Sequence, residues 1–391
     1  MFRNPLLSKF DTGLQKSYKT SREDARKYSM ENHTHYLNRP VFISGFHKSG
    51  TTLLLSLLDG HPQLVVFPEE LHFFQNMLFK RDKAKAIREE TGFKMFLPDW
   101  DNKQWSQGVA NFREGYPEFN SRKFNHWVEQ ALQVHKSDKN LLLLLIKAFV
   151  EVDNIDPASK IYWVSKTPRE ELFFPVMSKM FGKDFKMIYM VRDPRDVYLS
   201  ISKRKEIEGK PGIKNPKGLI TFSVYWQTQI NKVIHYQKKH KNICIFRFED
   251  LLMDTESTLT RLCEFLQIDY SRELLQSTRH GKLWGGNSVF LGGFKGISKE
   301  PIGRFRKFLD PELRVLLERF LWRELVLLGY DDRGSFQNID ANSKQVPWLD
   351  YWMFFIKYQR WYLFKQVYST FRYSLSQLRS RPETIQGRND N

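Results

Sequence analysis

The stretch Phe42-Ile-Ser-Gly45-Phe-His-Lys48-Ser-Gly50-Thr51-Thr52-Leu-Leu-Leu constrains this chain more than any other. It runs from a buried-strand pattern through a glycine-containing turn into an apolar helix start, the order a phosphate loop requires. Glycines let backbone N–H groups close around anionic oxygens, and the first helical turn adds unpaired donors and the positive end of its dipole. Against the triphosphatase spacing G-x-x-x-x-G-K-[ST], Gly45, Gly50 and Thr52 fit, but Thr51 stands at the lysine position and the lysine has moved to Lys48. A triphosphatase needs its lysine at the β- and γ-phosphates and a carboxylate supporting Mg²⁺. A single phosphate bearing a sulfuryl group carries less charge and needs no metal, so the displaced lysine favours a phosphosulfate. The same two glycines would also serve to shape a plain strand-to-helix turn.

The surrounding pattern places this loop in an α/β fold. Residues 40–44, 160–164, 186–191 and 242–247 read as buried parallel strands, with a shorter one at 64–67. Helix-like segments follow at 50–59, 169–181, 194–203 and 254–267, which predicts a parallel sheet flanked by helices on both faces. One large domain is expected over 39–332, after a polar, basic arm at 1–38. Within it, 81–140 is charged and rich in Trp and Phe and reads as a helical insertion or lid, and 204–217 reads as a basic Gly/Pro loop. Leu141 to Ile146 is too short to cross a bilayer and reads as part of a buried helix.

The second anchor is Arg192-Asp-Pro-Arg-Asp-Val-Tyr-Leu-Ser200. Arg192 leaves a strand at its carboxyl end, where ligands collect in open α/β sheets, and Ser200 follows eight residues later on the next helix. A guanidinium and a hydroxyl so placed can hold one phosphate. The 62 Lys and Arg against 44 Asp and Glu, a net charge of +18, favour anionic ligands without choosing among them. Cys244 and Cys263, the two cysteines, read as buried thiols, too few for a disulfide framework or a zinc cluster. No leader-like apolar stretch opens the sequence, so a cytoplasmic location is the expectation.

With both motifs in order, the chain resembles the PAPS-dependent sulfotransferases, PAPS being 3′-phosphoadenosine 5′-phosphosulfate. The resemblance covers roughly residues 40–330 and implies a P-loop NTPase-like fold that binds PAPS as co-substrate, with no metal. It implies that Lys48, Ser49, Gly50, Thr51 and Thr52 take the 5′-phosphosulfate and that Arg192 and Ser200 take the 3′-phosphate. Ser165-Lys166-Thr167-Pro168 and Arg247-Phe-Glu-Asp-Leu251 extend the match. Phe294-Lys295-Gly296 with Gly303-Arg304 is similar to the family's closing loop, making Lys295 and Gly296 cofactor-binding candidates and Arg304 a weaker one. Trp284-Gly-Gly-Asn-Ser288 belongs beside them, or is a plain surface loop.

In the branch that sulfates small phenols and steroids, the triplet matching Lys166-Thr167-Pro168 ends in the histidine that serves as general base. Pro168 accepts no proton. The segment Pro68-Glu69-Glu70-Leu71-His72 instead resembles the tyrosylprotein and bacterial branches, whose base is a glutamate at the spacing of Glu69. Glu69 is therefore the expected catalytic base, with Lys48 and Lys166 stabilising the departing charge. Glu70 and His72 are rivals, set aside on the expectation that an incoming helix turns them elsewhere. His61 reads as a turn residue, and Glu69 and Glu70 also suit a helix first turn after Pro68.

The implied reaction moves a sulfuryl group to a hydroxyl of a carbohydrate or lipid-linked glycan, with tyrosine or an alcohol also fitting and no nucleic acid among the partners. A P-loop kinase acting on a small molecule and a non-catalytic anion- or glycan-binding protein are the alternatives. The former is disfavoured by Thr51, the latter by the paired motifs. The remainder, 333–391, reads as a linker and a basic aromatic helix. There Leu349, Trp352, Ile356, Leu363, Val367, Phe371, Leu375 and Leu378 approximate one face, interspersed with Lys357, Arg360, Lys365, Arg372 and Arg379. Residues 348–378 would suit an anionic membrane surface, or pack against the domain or another subunit.

Overall fold

Strands that must be covered on both faces are built from near-continuous apolar runs, and five such runs form the sheet. The computed structural model describes residues 34–98, 118–286, 297–331 and 348–379, apart from 79, 81, 211, 212 and 214. Strands β1 (Pro40–Gly45), β2 (Leu64–Glu70), β3 (Tyr162–Lys166), β4 (Lys186–Val191) and β5 (Ile243–Arg247) are parallel, in the order β2-β3-β1-β4-β5. Alternation divides their side chains between two cores: Phe42, Trp163, Met187 and Tyr189 face one, and Val41, Ile43, Val164, Ile188 and Met190 the other. The first core is aromatic. Phe42 meets Phe74 and Trp163 edge-on, with ring centroids 5.4 and 5.5 Å away, and the Trp163 indole donates to the Leu37 carbonyl at 2.8 Å.

Helix α1 (Thr51–Leu58) links β1 to β2. Then come α2 (Phe73–Met77), α3 (Lys83–Glu89), a 3₁₀ turn at Gly92–Phe96, α4 (Ser121–Val134) and α5 (Asp138–Val152). After β3, a 3₁₀ turn at Glu170–Phe173 leads to α6 (Phe174–Phe181), and β4 leads to α7 (Pro194–Ile207) and α8 (Pro216–Lys239). After β5 come α9 (Phe248–Met253), α10 (Thr255–Leu266), a hairpin of β6 (Thr278–Arg279) and β7 (Lys282–Leu283), α11 (Phe305–Phe308), α12 (Pro311–Leu327) and α13 (Trp348–Arg379). From β1 the chain goes out to β2 at the edge, returns through β3, and crosses β1 to β4. The strand order reverses beside β1, so the ligand crevice belongs at its carboxyl end.

Several elements differ from the sequence expectation, among them β2, α7 and α8. β2 continues past Phe67 to Glu70 because Glu70 pairs with Lys166 across a register shift after Val66. α7 continues to Ile207, so the basic Gly/Pro connection begins at Glu208 rather than at Arg204. Residues 216–239, assigned no element in the sequence, form α8, opened by Pro216 and by the Asn215 side chain accepting from Gly218 N. Leu141 to Ile146 lies inside α5, with Leu141, Leu142, Leu145 and Ile146 buried. Cys263 is buried, but Cys244 on β5 is only half-buried. Residues 1–33 and 99–117 lie outside the described residues, and with them most of the expected arm and part of the expected insertion.

Helix α13 packs on α8, α6 and the Glu170–Phe173 turn through Tyr358, Tyr362, Gln366, Ser369 and Tyr373. Its seam is polar as well as aromatic: Gln366 donates to Tyr236 Oη at 2.6 Å, Arg169 to Tyr358 Oη at 3.1 Å, and Tyr358 stacks on Tyr225. Among the described residues, no helix is long and apolar enough to cross a membrane. Phe42→Ala removes a ring from the aromatic core and should cost about 3–5 kcal/mol, read as an earlier urea unfolding midpoint. A loss below about 1 kcal/mol would show that this core does not depend on it.

Candidate active site

Two close approaches give the loop after β1 its shape. A Cβ on Gly45 would lie 2.5 Å from the Met190 carbonyl oxygen of β4. At Gly50, φ is 87°, and a Cβ would lie 2.2 Å from the Phe248 ring. Any side chain there meets both backbone strain and a steric wall. Lys48 itself sits at φ 69°, an unusual conformation for a residue with a side chain. Gly50 is the N-cap of α1 and offers no capping side chain, which leaves the helix's first donors for another acceptor.

A cavity of about 230 Å³ opens over this loop, lined by His47, Lys48, Gly50, Thr51, Thr52, Arg192 and Ser200 among others. Arg192 is buried, donates to the Lys48 carbonyl at 3.1 Å and the Pro301 carbonyl at 2.8 Å, and lies over the Phe248 ring. Its Nε and the Ser49 hydroxyl are buried without hydrogen-bond partners. A buried guanidinium whose Nε–H has no partner retains the capacity to donate to a further acceptor. Burial, and then the nearby Arg204 guanidinium, push the Lys48 ammonium below its usual range.

Ser298, Pro301 and Arg304 close the far side. Asp196 holds them there, accepting from Gly303 N at 2.7 Å and Phe305 N at 2.8 Å. Trp284, Gly285 and Gly286 also line the cavity, whereas Lys295 and Gly296 lie outside the described residues. The Arg247-Phe-Glu-Asp-Leu251 match acquires a physical meaning. Phe248 lies against both Gly50 and Arg192, and Glu249 accepts from Asp193 N at 2.9 Å at the start of α7. The sequence reading assigned no site role to His47, Phe248, Ser277 or Pro301, and of these only Phe248 carried a motif signal.

The two glutamates fall differently from the sequence expectation. They occupy the end of β2 rather than an incoming helix, so they point to opposite sides of the strand. Glu69 is held by Arg279, an ion pair that occupies it structurally. Glu70 accepts from Lys166 at 2.7 Å and pairs with His72 at 2.9 Å. His61 is a turn residue, its ring bonded to the Asp269 carbonyl and to Gln63 N.

Glu70, Thr52 and Trp284 line both the first cavity and a second one of about 420 Å³. Glu69 and Lys166 line only the second, with Gln75, Asn76, Glu90 and Arg279. Gly92 backs the Glu70 peptide so closely that a Cβ would lie 2.4 Å from its carbonyl oxygen. Among the described residues, no group of three or more His, Cys, Asp or Glu side chains is arranged to hold a metal ion.

Burial alone would raise the Glu70 carboxyl, but the Lys166 ammonium and the His72 contact outweigh it and hold it well below its ordinary 4.5. A carboxyl depressed in this way adds stability above its unfolded value and loses it as pH falls through the folded one. Lys166→Met should therefore raise the Glu70 midpoint by about one unit or more, read from its carboxyl carbon shift during an NMR titration. An unmoved midpoint would show that the ion pair does not control the group.

Comparison with known proteins identifies the family. The model of the sulfotransferase family matches residues 40–272, more than half of the chain. A putative protein-tyrosine sulfotransferase of Caenorhabditis briggsae is 22% identical over 237 residues, 60% of this chain and 68% of that protein. Cytosolic sulfotransferase 7 of Arabidopsis thaliana is 23% identical over 214 residues, 44% of this chain and 64% of that one. Among solved structures, the sulfotransferase domain of the Synechococcus PCC 7002 olefin synthase aligns with 78% of this chain and 97% of its own, at 19% identity and a TM-score of 0.49. A phosphate loop at the switch point of a parallel sheet, with the family match running across β1 to β5, makes this chain a member of the sulfotransferase family.

Proposed function

We propose that the chain transfers a sulfuryl group from PAPS to a hydroxyl of a polyhydroxyl acceptor, a carbohydrate or lipid-linked glycan. The observation that carries this reading is the meeting of two cavities at Glu70, Thr52 and Trp284. One cavity has the chemistry of an anion site, the other is lined by hydrogen-bonding side chains, and a carboxylate stands between them. PAPS supplies a sulfuryl group attached to a phosphate that leaves as a stable anion.

In this reading, Lys48 with Ser49, Gly50, Thr51 and Thr52 holds the 5′-phosphate, and the unpartnered Ser49 hydroxyl supports the fit. Arg192 and Ser200 hold the 3′-phosphate, with the Arg192 Nε proton free to finish that contact. Lys295 and Gly296 remain candidates for the closing loop. All these positions fall within 39–332, which is proposed as the PAPS-binding unit, with 333–391 outside it.

Glu70 replaces Glu69 as the proposed base. It faces both cavities, whereas Glu69 is committed to Arg279. A base must reach the acceptor proton while the acceptor oxygen is in line with the sulfur, and Glu70 meets that geometric condition best. His72 and Lys166 hold its carboxylate charged and oriented. Lys166 can then turn from Glu70 toward charge developing on the transferred group. The second cavity sets Gln75, Asn76, Glu90 and Arg279 around Trp284, polar edges and one aromatic face, which suits a sugar better than a sterol.

Labelled transfer from PAPS to an acceptor panel tests both parts. Glu70→Gln should lower turnover by about 10²-fold or more with 3′,5′-adenosine bisphosphate affinity nearly unchanged, while Glu69→Gln should act mainly through acceptor KM. Full turnover in Glu70→Gln would sink the base assignment, and transfer to hydrophobic alcohols without transfer to glycans would sink the acceptor class.

A further inference from the structure

Helix α13 is 32 residues long, about 48 Å at 1.5 Å per residue, and among the described residues only one of its sides packs against the fold. Tyr358, Tyr362, Gln366, Ser369 and Tyr373 are buried against the domain. The opposite side carries Leu349, Ile356, Leu363, Phe364, Val367 and Phe371, which are 57–74% exposed. The intervals of seven, seven, four and four residues from 349 through 356, 363 and 367 to 371 align them along one stripe. Monomeric soluble proteins rarely leave an apolar strip of this length in water.

The charges along the helix favour one occupant. Its sequence holds five cations, Lys357, Arg360, Lys365, Arg372 and Arg379, against a single carboxylate, Asp350, in the first turn. Lys357 and Arg360 are exposed, and Arg360 lies within the apolar stripe itself. A second copy brought face to face by a twofold axis would set cations against an apolar stripe and further cations, with only Asp350, in the first turn, to neutralise them. A bilayer carrying anionic headgroups meets both requirements, burying the apolar residues at the acyl boundary and leaving the long basic side chains among the phosphates. The helix is not apolar enough to cross the membrane, so it lies in the surface plane.

We infer that α13 docks the enzyme on an anionic phospholipid surface through the Leu349 to Phe371 stripe. The polar seam on its buried side fixes the helix to α8 and the Glu170–Phe173 turn, so the stripe is displayed by the folded enzyme and needs no release from the domain. Vesicle binding is independent of the proposed chemistry, because no residue of this stripe lines either cavity.

The test is co-sedimentation of the full-length protein with phosphatidylcholine vesicles, with and without phosphatidylserine, at low and high salt. Binding should be at least about tenfold stronger with phosphatidylserine and should weaken with salt. The double variant Ile356→Glu/Val367→Glu should abolish it while leaving 3′,5′-adenosine bisphosphate binding and the circular dichroism spectrum unchanged. Arg360→Gln should weaken it without abolishing it. Absence of binding, or equal binding to both vesicles, would overturn the inference. So would a dimer detected by light scattering that these substitutions dissociate, since the stripe would then belong to a second copy.

Discussion

The Arg192 guanidinium is the contact on which the site depends. It joins three separate stretches of chain, donating to the Lys48 carbonyl in the phosphate loop and to the Pro301 carbonyl in the segment that closes the cavity, and lying on the Phe248 ring. Phe248 in turn fills the space that a side chain at Gly50 would need. Burying a charge is costly unless its donors are satisfied, and here two of its N–H groups are satisfied by neutral carbonyls while Nε is left without a partner. The result is a rigid loop geometry with a positive charge still directed into the cavity. The same interaction shapes the pocket and places a cation where the proposed 3′-phosphate would sit.

The parts of the site within reach of one local motif were legible in the sequence. Gly45, Lys48, Gly50 and Thr52 announce a strand-turn-helix phosphate loop because the chemistry and the backbone shape reside in consecutive residues. Arg192 was readable as a residue leaving a strand. Glu70 was readable only as a rival to Glu69, because what favours it as the proposed base is its pairing with Lys166, 96 residues away, across a register shift that extends β2. A one-residue change of side reverses which glutamate faces the crevice.

Helix α8 was obscured for a different reason. It is packed by β5, α12 and α13, so Leu219, Phe222, Val224, Trp226, Ile230 and Val233 are buried together with Ser223, Thr228 and Gln229. A helix covered on several sides has no single apolar stripe and no clear periodicity. Helix α13 is the reverse case. Its apolar periodicity was plain, yet the stripe it marked faces outward, while tyrosines and glutamine form the buried seam. Hydrophobic pattern identified the helix and its apolar face, but did not decide whether that face meets the domain, another subunit or a membrane.

In the proposed reading, the loop from Lys48 to Thr52 and the Arg192 guanidinium together hold a nucleotide bearing both a 5′- and a 3′-phosphate. Calorimetric titration of the full-length protein with 3′,5′-adenosine bisphosphate, in the presence of a metal chelator, tests it most directly. One nucleotide should bind per chain, with adenosine 5′-monophosphate bound far more weakly because it leaves Arg192 and Ser200 without a phosphate. No binding, or equal affinity for the two nucleotides, would contradict it.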